Sequence, residues 1–217
     1  NGHYIWIKED SSIIHGEDGT PLFWQGILLD ITDQKQVEKN LQRRDAILKA
    51  VGYSAEQFLK STDWEDCINP VLEQLGKATQ VSRVYVFKKE LSPDNKIIVS
   101  QLFEWWNHGI EPQINNEGLQ NKDFAADGFS RWIELFNQGL SVYGSINNFP
   151  AKEKLFLEQQ DILALICIPL QVEKNWWGFS GFDECAAERE WGEAEGDALK
   201  AAANTLSTAI EKKLSEE

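Results

Sequence analysis

The stretch from Gln160 to Cys185 reads QDILALICIPLQVEKNWWGFSGFDEC and decides the fold. Its first part, 162–170, is a nearly continuous run of apolar residues, and 176–182 is rich in aromatic residues. Glu173-Lys174-Asn175 separates the two runs with residues that are typical of a turn. This pattern predicts two neighbouring strands that are joined by a tight turn.

Working outward, two more β-patterned runs, 81–89 and 96–106, are joined by the turn residues Ser92-Pro93-Asp94-Asn95. Helical patterns cover 127–137, 151–159 and 190–214, and a short strand is expected at 140–143. The last of these helices has an apolar seam at Leu199, Ala203, Leu206 and Ile210. A further helix is expected after Thr62 and Glu65, which have the spacing of a capping box, and Pro70 should delay its start or kink its first turns. Helices and strands in this order predict an α+β fold with one mainly antiparallel sheet that is covered on both faces.

The first sixty residues have a different organisation. Residues 4–31 have the pattern of a β-hairpin, and a helix is expected to start near Asp33. Apolar residues then follow at alternating spacings of four and three, with one polar member, as in a heptad seam. Two interpretations stay open, an amphipathic helix on its own domain and a dimeric coiled coil, and the polar first half, 34–44, favours the dimer. The seam positions are Val37, Leu41, Arg44, Leu48, Val51, Ala55 and Phe58.

Composition excludes several functional classes. The chain has 217 residues, of which 42% are hydrophobic and 26% charged, as in ordinary globular proteins. Its net charge of −14 would repel a phosphate backbone, so nucleic-acid binding is not expected. No apolar run approaches the length of about 20 residues that a membrane helix needs, so we expect a soluble chain without membrane contact. The three scattered cysteines fit a reducing cytoplasm.

Two family resemblances follow from these stretches. The segment from Trp24 to Lys35 has the pattern W-x-G-I-L-x-D-I-T-D-x-K and resembles the closing strand of a PAS sensory domain. Residues 52–213 resemble a GAF domain of bacterial sensor proteins. Four stretches carry this second resemblance: Val81-Ser-Arg-Val-Tyr-Val-Phe, Gly109-Ile-Glu-Pro-Gln-Ile, 160–170, and Trp176-Trp-Gly-Phe-Ser-Gly-Phe-Asp-Glu-Cys.

The resemblances imply a domain organisation and a role. Residues 1–32 would be the C-terminal part of a PAS domain, 33–51 a signalling helix that acts as a linker, and 52–217 a GAF domain. The chain would then be a non-catalytic sensory module of a larger signalling protein, a histidine kinase or a GGDEF-type diguanylate cyclase. We expect a homodimer through the terminal helices and a small-molecule ligand. The sequence identifies no cofactor.

Two ligands of GAF relatives can be compared with the sequence. The cyclic-nucleotide signature N-K-x-F-x-x-x-D-E is only partly present, since Asn121-Lys122, Phe124 and Asp127 are followed by Gly128 where the signature has Glu. Bilin-binding relatives carry an attaching cysteine with a neighbouring histidine. None of the three cysteines has such a neighbour, so a covalent bilin is not expected.

Residues that could carry catalysis are few. The histidines His3, His15 and His108 lie in different predicted elements without metal-ligand spacing, so no metal site is expected. An enzyme with a site near Asp183-Glu184-Cys185 remains an alternative, because this segment places two acids beside a thiol. The simpler interpretation is a strand end whose acids cap the next turn and helix, and the pattern favours it.

The aromatic residues of the strands and of helix 127–137 are the best candidates for binding. They could line an apolar pocket for a planar ligand or form a closed core, in which case the domain would be a structural spacer. Within 176–182, strand alternation predicts that Trp177 and Phe179 share one face. Arg131, beside Trp132, is the best candidate for an anionic ligand group. The candidate ligand-binding residues are Phe87, Trp105, Arg131, Trp132, Trp177 and Phe179.

Overall fold

The computed structural model describes residues 4–216, and the chain divides into two compact units after Gln42. The first unit contains the predicted hairpin, in which β1 (Ile7–His15) pairs antiparallel with β2 (Pro21–Asp30). Helix α1 (Thr32–Lys60) follows directly. The Thr32 hydroxyl accepts a hydrogen bond of 2.9 Å from the backbone N–H of Trp6, which ties the start of the helix to the hairpin.

The second unit contains one sheet and four more helices among the described residues. Its strands lie in the order β5-β4-β3-β8-β7-β6, and all neighbouring pairs are antiparallel. The predicted α+β fold is therefore confirmed. The elements are α2 (Ile68–Thr79), β3 (Arg83–Leu91), β4 (Ile97–Trp106), β5 (Lys122–Asp123), α3 (Ser130–Asn137), β6 (Val142–Ser145), α4 (Ala151–Glu158), β7 (Ala164–Val172), β8 (Asn175–Glu184) and α5 (Glu193–Glu216).

Each face of this sheet packs against its own hydrophobic core. The first core joins one sheet face to α2, to α5 and to the C-terminal half of α1. The second core lies under α3 and α4 and is rich in aromatic side chains. The central hairpin β7–β8, predicted from 160–185, contributes to both cores, because alternate side chains of a strand point to opposite faces.

The start of α2 differs from the sequence-based expectation. Thr62 and Glu65 do not form a capping box, because the side chain of Asp63 accepts the hydrogen bond from the backbone N–H of Glu65 and caps a single 3₁₀ turn, Trp64–Asp66. Helix α2 begins later, at Ile68. Pro70 therefore lies in its first turn, where a missing N–H costs no helical hydrogen bond.

The heptad positions of the two long helices have different environments. Several of them are buried in the first core and already pack within the domain: Phe58 of α1 and Leu199, Leu206 and Ile210 of α5. By contrast, Val37, Leu41 and Leu48 of α1 are 68%, 55% and 42% exposed. Only the N-terminal half of the α1 seam presents apolar side chains to solvent.

Two β-bulges change which side chains face which core. In the β3–β4 pair, Val86 opposes Phe103 but Phe87 opposes Gln101, so Leu102 is an extra residue. In the β7–β8 pair, Leu170 opposes Gly178 but Gln171 opposes Trp176, so Trp177 is an extra residue. An extra residue reverses the inward and outward alternation beyond it.

Candidate functional site

A cavity of about 40 Å³ lies within the second core, between the sheet and the covering segments. Its wall is mostly aromatic. Phe87 of β3 and Phe179 of β8 stack on each other at 4.8 Å between ring centroids and close the sheet side. The other aromatic wall residues are Tyr85, Phe124, Phe129, Trp132 and Phe156.

Trp132 connects this wall to the buried carboxylate of Glu153, which is paired with Arg131. Its ring makes edge-on contacts with Phe124, Phe129 and Phe179, and its indole N–H donates a 2.8 Å hydrogen bond to Glu153 Oε2. A buried indole usually finds such a partner. Trp132 is thus a cavity wall and a core residue at the same time.

The opposite end of the cavity is polar, and it is built by β3 and β8. Arg83 and Asp183 oppose each other across the two strands, with Arg83 Nη2 3.3 Å from Asp183 Oδ2. The Tyr85 hydroxyl donates a 2.8 Å hydrogen bond to Asp183 Oδ1. Gly181 opposes Tyr85, and a Cβ at this position would lie 2.1 Å from the tyrosine ring. Glycine is therefore required for Tyr85 to lie across β8 and reach Asp183.

β4 adds Glu104 and Gln101 to the polar end. In a regular strand, Gln101 and Glu104 would point to opposite faces, because their positions differ by three. The bulge at Leu102 reverses the alternation between them, so both side chains face the cavity. Glu104 Oε2 accepts hydrogen bonds of 2.7 and 2.8 Å from the backbone N–H groups of Gln113 and Ile114. The carboxylate thereby fixes the loop that covers this end.

Burial dominates the electrostatics of the polar end. It raises the pKa of Asp183 to about 6, although Arg83 and the Tyr85 hydroxyl both act to lower it. Burial also raises the pKa of Glu104, against the two backbone N–H groups that it accepts from. Burial is the largest influence on Arg83 and lowers its pKa, but Asp183 and the smaller contributions of Cys185, Tyr85 and Glu104 together outweigh burial, so the net shift is upward. Arg83 thus stays charged, while Asp183 titrates within two units of neutral pH.

The structure brings together three of the six candidate ligand-binding residues. Phe87, Trp132 and Phe179 line the cavity. Trp105 and Trp177 instead pack against the first core, on the opposite face of the sheet. The expectation that Trp177 and Phe179 share a face is wrong, because Trp177 is the extra residue of the β8 bulge.

Arg131, the sixth candidate, is not one of the described residues that line the cavity. Its guanidinium forms a two-pronged pair with Glu153, with Nε 3.0 Å from Oε1 and Nη2 2.5 Å from Oε2. The arginine that does face the cavity is Arg83, which sequence reasoning missed. An arginine at the start of an apolar strand was the available signal, but its partner Asp183 is 100 positions away in the sequence.

The segment Asp183-Glu184-Cys185 separates into different roles. Asp183 faces the cavity, whereas Glu184 Oε1 accepts hydrogen bonds from the Ser82 hydroxyl at 3.0 Å and from the backbone N–H of Ala186 at 3.0 Å. Glu184 therefore caps the turn, as the simpler interpretation expected. Burial raises the pKa of Cys185 to about 11, which disfavours the thiolate that a nucleophile needs.

Other sites considered from the sequence can now be placed. His15 ends β1, His108 lies in the turn after β4, and His3 falls outside the described residues. Within residues 4–216, no group of three or more His, Cys, Asp or Glu side chains is arranged to hold a metal ion. Over the same residues, no helix combines the length and apolar character required to cross a bilayer.

Comparison with known proteins identifies this architecture. Residues 63–210 match the GAF domain family. The chain belongs to this family. The match confirms the resemblance to a GAF domain that was stated from the sequence, for residues 63–210. GAF domains are generally non-catalytic sensory modules.

Among curated proteins, the chain is similar to the methanogenesis regulatory histidine kinase FilI of Methanothrix harundinacea (strain 6Ac). The two are 35% identical over 185 residues, which is 85% of this chain and 21% of that protein. The chain thus spans about a fifth of the length of this relative.

Solved structures show the same fold. The phycocyanobilin-bound GAF domain of a cyanobacterial phytochrome is 16% identical with a TM-score of 0.64, covering 80% of this chain and 97% of that one. The photoproduct state of a GAF domain of Slr1393 from Synechocystis sp. PCC6803 is 21% identical with a TM-score of 0.55, covering 67% and 91%. At this level of identity the similarity establishes the fold alone.

Proposed function

We propose that this GAF domain senses a small molecule in the cavity of its second core and forms part of a larger signalling protein of the histidine kinase type. The observation that carries the proposal is the composition of the cavity, which joins an aromatic wall to a buried end with one guanidinium and two carboxylates. A few convergent polar groups in an otherwise apolar cavity are typical of ligand sites. The similarity to a regulatory histidine kinase supports the assignment of the larger protein to the histidine kinase type.

A bilin does not fit this cavity. The structural neighbours include a phycocyanobilin-bound domain, but none of the described residues that line the cavity here is a cysteine. A volume of about 40 Å³ is also far below the ~300 to 1,000 Å³ of pockets for drug-sized ligands. The ligand that we propose is much smaller than a tetrapyrrole and is held without a covalent bond.

Filling the cavity tests whether it is the sensory site. Val99 of β4 lies in the cavity wall, and Val99→Phe places a ring in the available space. We expect the affinity for a copurifying small molecule, identified by mass spectrometry of the purified chain, to fall roughly 100-fold, equivalent to about 2.7 kcal/mol. Binding is measured by calorimetry, and thermal melting verifies that the variant folds.

The control for this experiment changes an aromatic residue on the other face of the sheet. Trp177→Phe alters the first core and leaves the cavity wall intact, so affinity should stay close to that of the wild type. If Val99→Phe binds the copurifying molecule as tightly as the wild type, the cavity is not the sensory site.

We also propose that a second copy of the chain pairs along the N-terminal half of the α1 seam. Support comes from the heptad spacing of Val37, Leu41 and Leu48 and from their exposure as large apolar side chains. In a parallel coiled coil each of these positions would meet its own copy. The seam residues of α5 are excluded from this role, since they are buried in the first core.

A charge placed in this seam should separate the copies. In the double variant Leu41→Glu, Leu48→Glu, a dimer would bring ionised carboxylates together in an apolar interface, so we expect dissociation to become roughly 100-fold easier or more. Light scattering across a concentration series measures this change. Asn40→Glu, Gln42→Glu adds the same charge at exposed positions off the seam and should leave the mass unchanged. An unchanged mass for the seam variant would contradict the dimer.

The hairpin of the first unit is proposed to be the C-terminal part of a PAS domain. The pattern of Trp24 to Lys35 supports this assignment, as does the antiparallel pairing of β1 with β2. All described residues of the two strands are exposed, including Trp24 and Leu28.

A cytoplasmic location is proposed as well, since the three cysteines are free thiols.

A further inference from the structure

Three buried polar atoms around the cavity have no hydrogen-bond partner within the described part of the chain. They are Arg83 Nε, Gln101 Oε1 and Glu104 Oε1. Their residues are only 1%, 4% and 8% exposed, and all three line the cavity. Leaving a buried polar group without a partner costs free energy, and the cost is larger when the group is charged. Three such atoms at one cavity indicate that it is built to receive a polar group.

The pattern of these atoms limits the chemistry of that group. Arg83 Nε is a donor and needs an acceptor, whereas Glu104 Oε1 is an acceptor and needs a donor. Gln101 lies near enough to lower the pKa of Glu104, but no hydrogen bond of good geometry reaches Glu104 Oε1. The amide of Gln101 can present either its oxygen or its nitrogen. The fixed requirement is therefore one acceptor and one donor on the ligand.

The charges at this end disfavour an anion. Arg83 is already paired with Asp183 at 3.3 Å, and Glu104 adds a second carboxylate. Lys122, the other cation of the cavity wall, is paired with Asp127 at 2.8 Å. With both carboxylates ionised, the polar end has one more negative than positive charge. A ligand with a carboxylate or phosphate would meet Glu104 without compensation.

We infer that the cavity binds a neutral, planar group whose edge carries both a hydrogen-bond donor and an acceptor, such as a primary amide or the lactam of a small ring. This inference rests on the proposed function and names the chemical class of its ligand. The acceptor oxygen of the group faces Arg83 Nε and its N–H faces Glu104 Oε1. The apolar remainder of the ligand packs against the aromatic wall at Phe124 and Trp132, where contact needs no hydrogen bonds.

Three small probes of equal size test the class. Acetamide carries a donor and an acceptor, acetate carries two acceptors and a negative charge, and acetamidinium carries donors and a positive charge. Each has four heavy atoms, so differences in affinity report polarity rather than shape. At neutral pH, titrations of the full chain followed by NMR should show acetamide binding about tenfold or more tightly than either charged probe, a difference of about 1.4 kcal/mol.

Glu104→Gln should remove the preference for the neutral over the anionic probe. The glutamine oxygen can accept from the backbone N–H groups of Gln113 and Ile114, which leaves an NH₂ donor where the wild type has the acceptor Oε1. Acetate should then gain about tenfold relative to acetamide. Glu134→Gln makes the same chemical change on the exposed face of α3 and should keep the wild-type order.

Other outcomes overturn the inference in separable ways. Preferential binding of acetate or acetamidinium to the wild type would overturn the ligand class while leaving the cavity as a sensory site. Failure of every probe to bind at millimolar concentrations, with a high-resolution structure showing only ordered waters on the three atoms, would also overturn the class. The proposed function fails separately, if Val99→Phe retains the copurifying molecule.

Discussion

Replacing Trp132 with alanine is expected to lower the free energy of unfolding by about 3 to 5 kcal/mol, as for other buried aromatic residues. The ring is nearly fully buried and contacts the rings of Phe124, Phe129 and Phe179. Its removal enlarges a cavity that neighbouring aromatic rings cannot collapse to fill. It also takes the indole N–H away from Glu153. Urea unfolding followed by circular dichroism measures the loss.

Two further variants separate the contributions to this loss. Trp132→Phe keeps a smaller ring in the wall, and it removes the hydrogen bond to Glu153 together with part of the ring packing, so it should cost about 2 kcal/mol, less than the alanine variant. Trp106→Ala removes a tryptophan that is 42% exposed at the end of β4, and its cost should be much smaller than that of Trp132→Ala. A loss below about 1 kcal/mol for Trp132→Ala, with ligand affinity abolished, would mean that Trp132 is only a pocket wall and adds little to the core.

This expectation combines two interpretations that the sequence left open. From the sequence, the aromatic residues form either a pocket or a closed core. In the structure the cavity is small, so the same rings pack on one another and also line it. Volume decides between these interpretations, and volume depends on how side chains from β3, β8 and α3 interlock, which a single sequence does not specify.

The strands and helices were largely predictable, because their signals are local. The alternation within 81–89 and 96–106 and the turn at Glu173-Lys174-Asn175 correspond to β3, β4 and the β7–β8 hairpin. The two-residue strand β5 was missed, since it is too short to show a period. The exact start of α2 was also missed, because Asp63 competes with Thr62 as a cap.

Which face a side chain occupies was harder to predict. A bulge adds one residue without any change in composition, so nothing in the sequence of β8 distinguishes Trp177 from a residue in regular register. The same effect at Leu102 brings Gln101 and Glu104 to one face. Four polar side chains define the inferred site, and three of them were not singled out from the sequence: Arg83, Gln101 and Glu104.

The fourth, Asp183, leads to a prediction for the pH dependence of stability. Its pKa is raised from 3.8 to about 6 by burial, so the folded state binds a proton more tightly than the unfolded chain does. The contribution of Asp183 to stability is then fully present below about pH 4 and is lost as the pH rises through about 6. A shift of about two units corresponds to about 3 kcal/mol.

The groups that surround Asp183 set the size of this effect. Arg83 and the Tyr85 hydroxyl stabilise the charged carboxylate, while burial and the nearby Glu104 destabilise it. Cys167 lies beside the Tyr85 hydroxyl at 3.5 Å, and burial raises the pKa of this thiol well above its usual value, so it stays neutral. Glu104 has a pKa that is itself raised by burial, and its charge adds a smaller upward contribution to the pKa of Asp183.

Asp183→Asn should therefore change the pH profile rather than simply weaken the fold. Asparagine resembles the protonated acid in shape and cannot ionise. The free energy of unfolding of the wild type, minus that of the variant, should fall by about 2 kcal/mol between pH 4 and pH 7, which is most of the full effect, as chemical denaturation at a series of pH values would measure. An absolute offset between the two proteins is expected at all pH values, because the amide leaves Arg83 without its paired charge. The pH-dependent part of the difference isolates the titration of Asp183.

Tyr85→Phe provides a control that acts in the opposite direction. It removes a hydrogen bond that lowers the pKa of Asp183, so the folded-state pKa should rise further and the loss of stability between pH 4 and pH 7 should become steeper than in the wild type. The steric environment changes little, because phenylalanine keeps the ring over Gly181. A difference between the wild type and Asp183→Asn that is constant over this range would show that Asp183 keeps an ordinary pKa in the fold. A wild type that gains stability over the variant as the pH rises would mean that attraction to Arg83 outweighs burial, and that the polar end of the cavity holds Asp183 as a charged group throughout.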